Sequence, residues 1–356
     1  MKIKVAILDQ DEEYLKRLTS GFTQRYGNEL EIRTYTKQET AQEALLPERI
    51  DVFLAEDIFE IDMKSIPERC GFAYLVDKLD VRTIKGHKAI CKFQKVDVIY
   101  KEILNLYADY VGSITNVSAD DSKTRVISFI SPTGGSGSST VAAACALHFA
   151  QQGKKAFYLS LDPFDITDSL FQGEGKFDFS EIVFALKSKK INLDLKLKSV
   201  VKRDYTGVFF ISGSKIALDM VGLNGEELSD LLKGIKDSGE FDDIIVDVPF
   251  EFSKECIKLL RDFSNEVVIT ENDTQDSICR TGRFLEALDI YETKEAAPLI
   301  HRICLILNRT MGQMPYMGNT AERILGMTPD YGRGFTRRQV AEKLSTLTLF
   351  DQIYTH

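Results

Sequence analysis

Long apolar runs are missing from this 356-residue sequence. No run approaches the roughly 18 to 20 apolar residues that cross a bilayer. The N-terminus passes from a short apolar strand directly into acidic residues, without the apolar core and cleavage site of a secretory signal. We therefore expect a soluble, cytoplasmic protein without a stable membrane anchor of its own.

Close cysteine or histidine pairs are also missing. The six cysteines are scattered, and no two of the four histidines stand four residues apart, which excludes a disulfide framework and a histidine metal site. We expect the cysteines to be buried as small hydrophobic side chains. Positive charge is scarce as well: the net charge is −9. Because this field repels nucleic acid, no nucleic-acid partner is expected.

The first 111 residues show a strand and helix alternation. Residues 3–8 predict a buried strand, and Leu15, Leu18 and Phe22 lie on one face of the helix that should follow. Later apolar runs predict five repeats of strand and helix in a doubly wound parallel sheet. Residues 112–123 are polar and lack bulky apolar side chains, as is typical of a linker. Two α/β domains are therefore predicted, at 1–111 and 124–356.

The second domain contains six near-continuous apolar runs, of the kind that a sheet buried on both faces requires. The runs are RVISFI, KKAFYLS, YTGVFFISG, FDDIIVDVPF, NEVVITEND and HRICLILNRT. Each ends in, or is followed by, a small or ionisable residue. Since ligands bind at the carboxyl ends of parallel strands, the chemistry of this domain is expected there.

A glycine-rich loop follows the first of these strands and precedes a helix. Glycines let backbone N–H groups turn around a phosphate, and the helix N-terminus adds about half a positive charge. Such a loop alone is also typical of a flexible turn. As a nucleotide site it would use Gly134, Gly135, Ser136, Gly137, Ser138, Ser139 and Thr140, with the Ser139 hydroxyl as a Mg²⁺ ligand.

The loop and the downstream motifs together resemble the MinD/ParA ATPases, whose loop reads Lys-Gly-Gly-x-Gly-Lys-Thr-Thr. The resemblance implies that Asp162 orients the attacking water, although Ser160 replaces the acidic residue expected two positions earlier. It implies that Asp247, followed by Pro249, reaches Mg²⁺ through water, with Asp162 and Ser139 completing the metal site. Asn308 would read the adenine edge. An isolated Asp after a strand, by contrast, often only caps a turn.

Two departures from this family change the expected chemistry. Thr133 stands where the family has the lysine that crosses to a partner's nucleotide, and Ser138 stands where it has the loop lysine. Cationic stabilisation of the transferring phosphoryl group supplies about 10³- to 10⁵-fold in rate. We therefore expect ATP and Mg²⁺ binding with little or very slow hydrolysis.

The N-terminal module resembles a response-regulator receiver. Asp9 and Asp11 match the acidic pair of that family, and Lys92 matches its lysine. The phosphate acceptor aligns best with Glu56, whereas a shift of one residue would place Asp57 there. Because glutamate does not normally accept the phosphoryl group, we expect a partner-binding or dimerising module. A solvated acidic helix start is the alternative for Asp9 and Asp11.

The C-terminal tail has basic residues Arg333, Arg337 and Arg338 ahead of a helix carrying Val340 and Leu344. The membrane-binding tail helix of MinD is similar. Thr and Asp residues interrupt the apolar face here, so a helix that packs on its own domain is expected.

A receiver-like module joined to a degenerate MinD/ParA domain resembles the TadZ/CpaE proteins, which place Tad (Flp) pilus secretion machinery in the cell. The resemblance implies a homodimer, pilus secretion proteins as partners, and a location at a cell pole or the inner membrane face. The alternatives are a DNA- or chromosome-partition-type ATPase, a slow ATPase or phosphorelay protein, and a nucleotide-free scaffold.

Overall fold

The computed structural model describes residues 2–111, 124–189, 191–295, 298–310 and 323–354. Backbone contacts divide the chain into unit 1, Met1–Asn116 with Phe184–Val200, and unit 2, Val117–Val183 with Val201–His356. The predicted linker 112–123 lies outside the described residues, so that boundary stays a prediction. Residues 184–200, which the sequence analysis placed in the second domain, group with unit 1.

The strands of both units are short and mostly buried. They are β1 (Ile3–Leu8), β2 (Leu30–Tyr35), β3 (Val52–Glu56), β4 (Gly71–Val76), β5 (Thr83–Ile84), β6 (His87–Cys91), β7 (Arg125–Ile130), β8 (Ala156–Ser160), β9 (Lys202–Arg203), β10 (Phe209–Phe210), β11 (Asp243–Asp247), β12 (Glu266–Asn272), β13 (Ile303–Thr310) and β14 (Arg323–Pro329).

The helices alternate with these strands along the chain. They are α1 (Glu12–Tyr26), α2 (Gln38–Ala44), α3 (Val96–Tyr110), α4 (Ser138–Gln151), α5 (Thr167–Leu170), α6 (Phe179–Ser188), α7 (Leu193–Val200), α8 (Ala217–Val221), α9 (Gly225–Asp237), α10 (Lys254–Phe263), α11 (Gln275–Glu295) and α12 (Arg337–Leu344). Short 3₁₀ helices lie at Met63–Ser65, Ile300–Arg302 and Thr348–Tyr354.

Unit 1 is a parallel sheet of the order β2-β1-β3-β4-β6, extended at one edge by β5, which pairs antiparallel to β6. Without β5, this is the flavodoxin-like order 2-1-3-4-5. The predicted fold class of the first domain is confirmed.

The prediction of five strand and helix repeats in unit 1 is wrong in detail. Within residues 2–111, only a 3₁₀ turn lies between β3 and β4, and the strand β5 takes the place of a helix before β6. Residues 57–70 include Pro67, and residues 77–86 are rich in charge and lack a helical apolar stripe. Neither segment could bury one face as a helix.

The inserted segment of unit 1 is anchored by helix α7 on α3. The ammonium of Lys196 on α7 is 1% exposed and lies 2.8 Å from the Asp109 carboxylate on α3. Ala108, Ala185 and Ile191 form a small apolar cluster beside this ion pair. Because the Asp109 side chain keeps 27% of its surface exposed, the pair is only partly desolvated, and it holds α7 beside α3 without the full cost of burying two charges.

Unit 2 is an eight-stranded sheet of the order β14-β13-β12-β7-β11-β8-β10-β9, in which β9 alone runs antiparallel to its neighbour. The six predicted apolar runs form β7, β8, β10, β11, β12 and β13. The strands β9 and β14 were not predicted. The carboxyl ends of β7, β8, β11 and β13 lie at one edge, where the predicted site residues are found.

Helix α4 crosses the core of unit 2 directly after the glycine loop. Its residues from Val141 to Phe149 are all buried, and many are alanines that let other elements approach closely. Ala341 and Leu344 of α12 belong to the same core, as the expected self-packing tail helix requires. His148 on α4 lies 2.8 Å from the carbonyl oxygen of Ser345 and 2.9 Å from Asp351, which fixes the C-terminal segment on α4.

The cysteines agree with expectation in part. Cys70, Cys91, Cys145 and Cys304 are buried and Cys256 is half-buried, whereas Cys279 is exposed on α11. The expectation of burial is therefore wrong for Cys279.

Candidate functional site

The glycine loop connects β7 to α4 and turns twice through backbone conformations that favour glycine. Gly135 has φ 78°, and Gly137, the N-cap of α4, has φ 91°. Side chains with a Cβ rarely adopt such angles. The sequence therefore folds here as a strand, a tight glycine loop and a helix N-terminus, in the predicted order.

Asn308 holds this loop from the end of β13. Its amide nitrogen donates to the carbonyl oxygen of Ser136 at 2.6 Å, and its amide oxygen accepts from the Thr328 hydroxyl at 2.5 Å. A Cβ on Gly137 would lie 2.5 Å from the same amide nitrogen, so a larger residue would have to displace the Asn308 amide and also adopt a strained φ of 91°. Asn308 is thus engaged with the loop and with β14, and its predicted contact with the adenine edge stays a prediction.

Asp247, at the end of β11, is the buried carboxylate of the site. It is 5% exposed and accepts hydrogen bonds from the Tyr158 hydroxyl, at 3.2 Å, and from the Ser139 hydroxyl. Burial, together with the nearby Asp162 and Asp165 carboxylates, raises the pKa of Asp247 to about 6. The two hydrogen bonds oppose this rise. A cation beside Asp247 would relieve the cost of its charge.

Asp162 and Asp165 lie in the loop after β8. Asp162 is half-buried and accepts from the backbone N–H of Phe164 at 2.8 Å, so it also caps its own turn. Asp165 accepts from the hydroxyl and N–H of Thr167 and from Ser160. Burial raises the pKa of Asp165. Ser160, which replaces an acidic residue of the MinD/ParA pattern, therefore supports this neighbouring carboxylate.

A cavity of about 670 Å³ joins these residues, within the usual size range of small-molecule sites. The predicted residues that line it are Gly134, Gly135, Ser136, Gly137, Ser138, Ser139, Thr140, Asp162, Asp247 and Asn308. The structure thus brings every predicted site residue of the second domain to one place. Their roles toward a ligand stay predictions.

Three arginines also line the cavity, and sequence reasoning did not place them there. Arg309 follows Asn308, while Arg333 and Arg337 come from the connection after β14 and the start of α12. In the sequence, Arg333 and Arg337 stand out only as basic residues of the C-terminal tail. The only sequence feature that links one of these arginines to the site is the position of Arg309 directly after Asn308.

The cavity offers groups that suit the phosphates of ATP. The hydroxyls of Thr133 and Ser138 are buried, and neither has a hydrogen-bond partner in the described part of the chain. Both lie in a loop that opens onto a helix N-terminus, where anions bind. Unpaired buried hydroxyls are costly, and a phosphate would satisfy them. The residues present therefore fit a phosphate group.

The same residues fit Mg²⁺ only together with a phosphate. No group of three or more His, Cys, Asp or Glu side chains suited to a metal exists among the described residues. Mg²⁺ commonly takes one or two protein ligands, and water and substrate phosphates supply the rest. Asp247 and Ser139 provide such a partial set, with Asp162 nearby.

In unit 1, Lys92 joins the residues that correspond to the receiver site. Its ammonium lies 2.8 Å from the Asp9 carboxylate and 2.9 Å from the Glu56 carboxylate. Burial raises the pKa of Asp9, which is fully buried, so the alternative of a solvated position is wrong for this residue. Burial opposes the charge of Lys92, but hydrogen bonds to Asp9 and Glu56 outweigh it and raise the pKa of Lys92.

Asp11 and Asp57 do not join this cluster directly. Asp11 is exposed and caps α1 by accepting from the N–H groups of Glu13 and Tyr14, which lowers the pKa of Asp11. β3 ends at Glu56, and the exposed Asp57 follows it. The residue beside Lys92 at the acceptor position is therefore Glu56, as the preferred alignment predicts.

Comparisons with known proteins agree with these two folds. Residues 1–108 match a protein-family model described as the TadZ-like receiver domain. A ParA family ATPase from Chlorobium tepidum is similar in structure, with 22% sequence identity, a TM-score of 0.51, and coverage of 65% of this chain and 97% of that one. The second unit therefore has the fold of the MinD/ParA-type P-loop ATPases.

The septum site-determining protein MinD from Pyrococcus horikoshii, solved with Mg-ADP, matches with 18% identity and a TM-score of 0.47, covering 62% of this chain and 94% of that one. No curated protein matches this sequence. Throughout the described ranges, no helix is long and apolar enough to cross a membrane.

The raised pKa of Asp247 predicts a gain in stability when its charge is removed. A rise from 3.8 to about 6 corresponds to about 3 kcal/mol. Because the folded-state pKa is the higher one, the protonated carboxyl favours folding below about pH 4, and this contribution is lost as the pH rises to about 6. Asp247→Asn should therefore be about 1–3 kcal/mol more stable at pH 7.5, measured by urea denaturation without nucleotide.

The control for this measurement is Asp289→Asn, which removes an exposed carboxylate from α11. Its free energy of unfolding should change by less than about 0.5 kcal/mol. A difference between wild type and Asp247→Asn that does not shrink from pH 7.5 to pH 4 would contradict the burial argument.

The arrangement around Lys92 predicts that unit 1 is not phosphorylated. Incubation of the full chain with acetyl phosphate and Mg²⁺ should add no 80 Da adduct in intact-mass measurement, because Glu56 holds the acceptor position and is paired with Lys92. An adduct that disappears in Asp57→Asn but persists in Glu56→Gln would show that Asp57 is the acceptor instead.

Proposed function

We propose that this chain is an ATP-binding assembly factor of the Tad (Flp) pilus secretion machinery. Unit 2 binds Mg-ATP with little or very slow hydrolysis, and unit 1 serves as a partner-binding or dimerising module. The active form is a homodimer, and its partners are pilus secretion proteins. The protein acts in the cytoplasm, at a cell pole or at the inner membrane face, through those partners.

The observation that carries this proposal is the combination of two units in one chain. The first matches the TadZ-like receiver domain, and the second has the P-loop ATPase fold with a phosphate-type cavity. Either unit alone is compatible with many functions. Together they favour a Tad-associated factor.

Phosphate binding would depend on backbone N–H groups, because the loop contains no lysine. The N–H groups of the loop from Gly134 to Thr140 and the N-terminus of α4 would hold the phosphates. Ser139 and Asp247 would hold Mg²⁺, directly or through water, and the ion would supply positive charge to the site. Asp162 would orient water, but Thr133 and Ser138 offer no cation for the transition state, so turnover is slow.

The rival functions make different demands. A partition-type ATPase binds DNA non-specifically, which the net charge of −9 disfavours. A nucleotide-free scaffold requires no cavity of this size, no buried carboxylate beside a loop hydroxyl and no unpaired hydroxyls in a glycine loop. The described site has all three features.

Calorimetric titration tests nucleotide binding. Mg-ATP should bind the wild type, and Ser139→Ala should bind at least about tenfold more weakly, because a metal-ligating hydroxyl is lost. With EDTA in place of Mg²⁺, the two proteins should differ far less. Ser229→Ala, which removes a half-buried hydroxyl from α9 outside the cavity, is the matched control and should bind like wild type.

Absence of heat and of any thermal shift with wild type would leave only the scaffold alternative. Equal affinities of wild type and Ser139→Ala, with and without Mg²⁺, would place the metal elsewhere.

Imaging of a fluorescent fusion in cells that assemble Tad pili tests the cellular role. The wild-type fusion should form foci with the secretion machinery, while Ser139→Ala should be more diffuse and Ser229→Ala should remain focused. Co-localisation with the nucleoid, or foci that persist unchanged after deletion of the secretion genes, would favour the partition alternative.

A further inference from the structure

The cavity of unit 2 contains arginine side chains although its glycine loop has no lysine. The two positions where the MinD/ParA pattern has lysines carry Thr133 and Ser138, whose unpaired hydroxyls lie in the loop. Arg309, Arg333 and Arg337 also line this cavity. All three are exposed, so their guanidinium groups are accessible to a ligand.

Arg309 is the best positioned of the three. One of its guanidinium nitrogens donates to the carbonyl oxygen of Gly135 at 3.1 Å, and a second would lie 3.3 Å from a Cβ on Gly137. Its side chain therefore lies against the two glycines that shape the loop. A guanidinium has five N–H donors, and this hydrogen bond uses one.

The backbone of Arg309 adopts an unusual conformation that directs the side chain to the loop. Its φ is 60°, in the left-handed region, which costs a non-glycine residue about 1–2 kcal/mol. Its backbone N–H donates to the Thr328 hydroxyl at 3.2 Å, the same hydroxyl that donates to Asn308. Strain of this kind is common at binding sites.

These arginines differ from the neighbouring Arg338, which is structural. Arg338 forms a two-pronged ion pair with the buried Asp204 and also contacts Glu342. No acidic partner within 4 Å is found for Arg309, Arg333 or Arg337 among the described residues. Three unpaired cations around a cavity are most stable with an anion inside it.

We propose that Arg309, assisted by Arg333 and Arg337, binds the phosphates of the nucleotide in place of the two absent lysines. This inference rests on the proposed function, because it concerns the same cavity. It assigns Arg309 a role in affinity for the polyphosphate. Hydrogen bonds from a guanidinium to phosphate oxygens are charge-assisted and planar, which suits a polyphosphate better than a base or sugar.

Arg309→Gly is the informative variant because glycine tolerates the left-handed backbone at this position. The variant deletes the guanidinium and should not lower the thermal stability of the protein through strain. Calorimetry should show about 10- to 100-fold weaker binding of Mg-ATP than wild type. Arg309→Lys keeps the positive charge but lacks the planar guanidinium. Its affinity for Mg-ATP should therefore lie between the affinities of wild type and Arg309→Gly.

The double variant Arg333→Ala/Arg337→Ala should weaken Mg-ATP binding by about 3- to 30-fold. Arg283→Ala, which removes an exposed arginine of α11 outside the cavity, is the matched control and should bind like wild type. Adenosine is the second probe. Because it has no phosphate, its binding should change less than threefold in any of these variants.

A rescue experiment separates charge from loop shape. Ser138→Lys restores a cation at the loop and should recover at least tenfold of the affinity lost in Arg309→Gly, whereas Ser138→Ala should recover none. Recovery by lysine identifies charge as the missing element. Failure of this rescue would instead assign Arg309 a purely structural contact with Gly135.

The outcomes distinguish this inference from the proposed function. Wild-type binding with equal affinity in Arg309→Gly overturns the inference and leaves nucleotide binding intact. A parallel loss of ATP and adenosine binding also overturns it, because the defect would then lie in cavity shape. A wild type that binds no nucleotide overturns both.

Discussion

The site of unit 2 depends on the close approach of the Asn308 amide to the glycine loop. The amide hydrogen-bonds to the Ser136 carbonyl and would collide with any side chain at position 137. This contact ties the end of β13 to the loop between β7 and α4, although β12 separates β13 from β7 in the sheet. Together with the φ of 91° at Gly137, it favours glycine at the helix N-cap. The loop is thus given its shape before any ligand enters.

The charges around this loop are arranged on two sides. Asp247, Asp162 and Asp165 lie at the ends of β11 and β8, and burial raises the pKa of Asp247 and Asp165. The exposed arginines Arg309 and Arg333 lie at the end of β13 and after β14. A divalent cation suits the first side and an anion suits the second. A metal-bound polyphosphate has both charges, so the charge distribution of this cavity is the physical basis for proposing that ligand.

The sequence predicts most of the fold because buried parallel strands are near-continuous apolar runs. It predicts the loop, Asp162, Asp247 and Asn308 because each ends such a run at the same sheet edge. It does not predict β9, which has two residues, or β14, which joins the edge with register shifts. Apolar patterning is weakest in such edge elements, which are buried on fewer sides.

Side-chain roles that depend on tertiary geometry were beyond prediction. Arg309 is adjacent to Asn308 in sequence, yet its contact with Gly135 follows from a left-handed backbone angle that no propensity favours for arginine. In sequence, Asp165 looks like any aspartate in a turn. Its raised pKa comes from burial, which the sequence does not reveal. In unit 1, by contrast, the strand register decides between two acidic neighbours, since Glu56 pairs with Leu75 in the ladder and Asp57 lies beyond the strand.

The polar groups of the two sites differ in whether they already have partners within the protein. This difference decides how much a modification or a ligand would have to disrupt in each unit. In unit 1, the ammonium of Lys92 lies between Asp9 and Glu56, so the two carboxylates are already neutralised in part and hydrogen-bonded. Phosphorylation there would have to displace a buried ion pair, and breaking such a pair costs about 3–5 kcal/mol. In unit 2, the loop hydroxyls of Thr133 and Ser138 have no partners among the described residues. A phosphate-bearing ligand would gain contacts in unit 2 without breaking an ion pair of this kind, which is a physical reason for the proposal to place the nucleotide there.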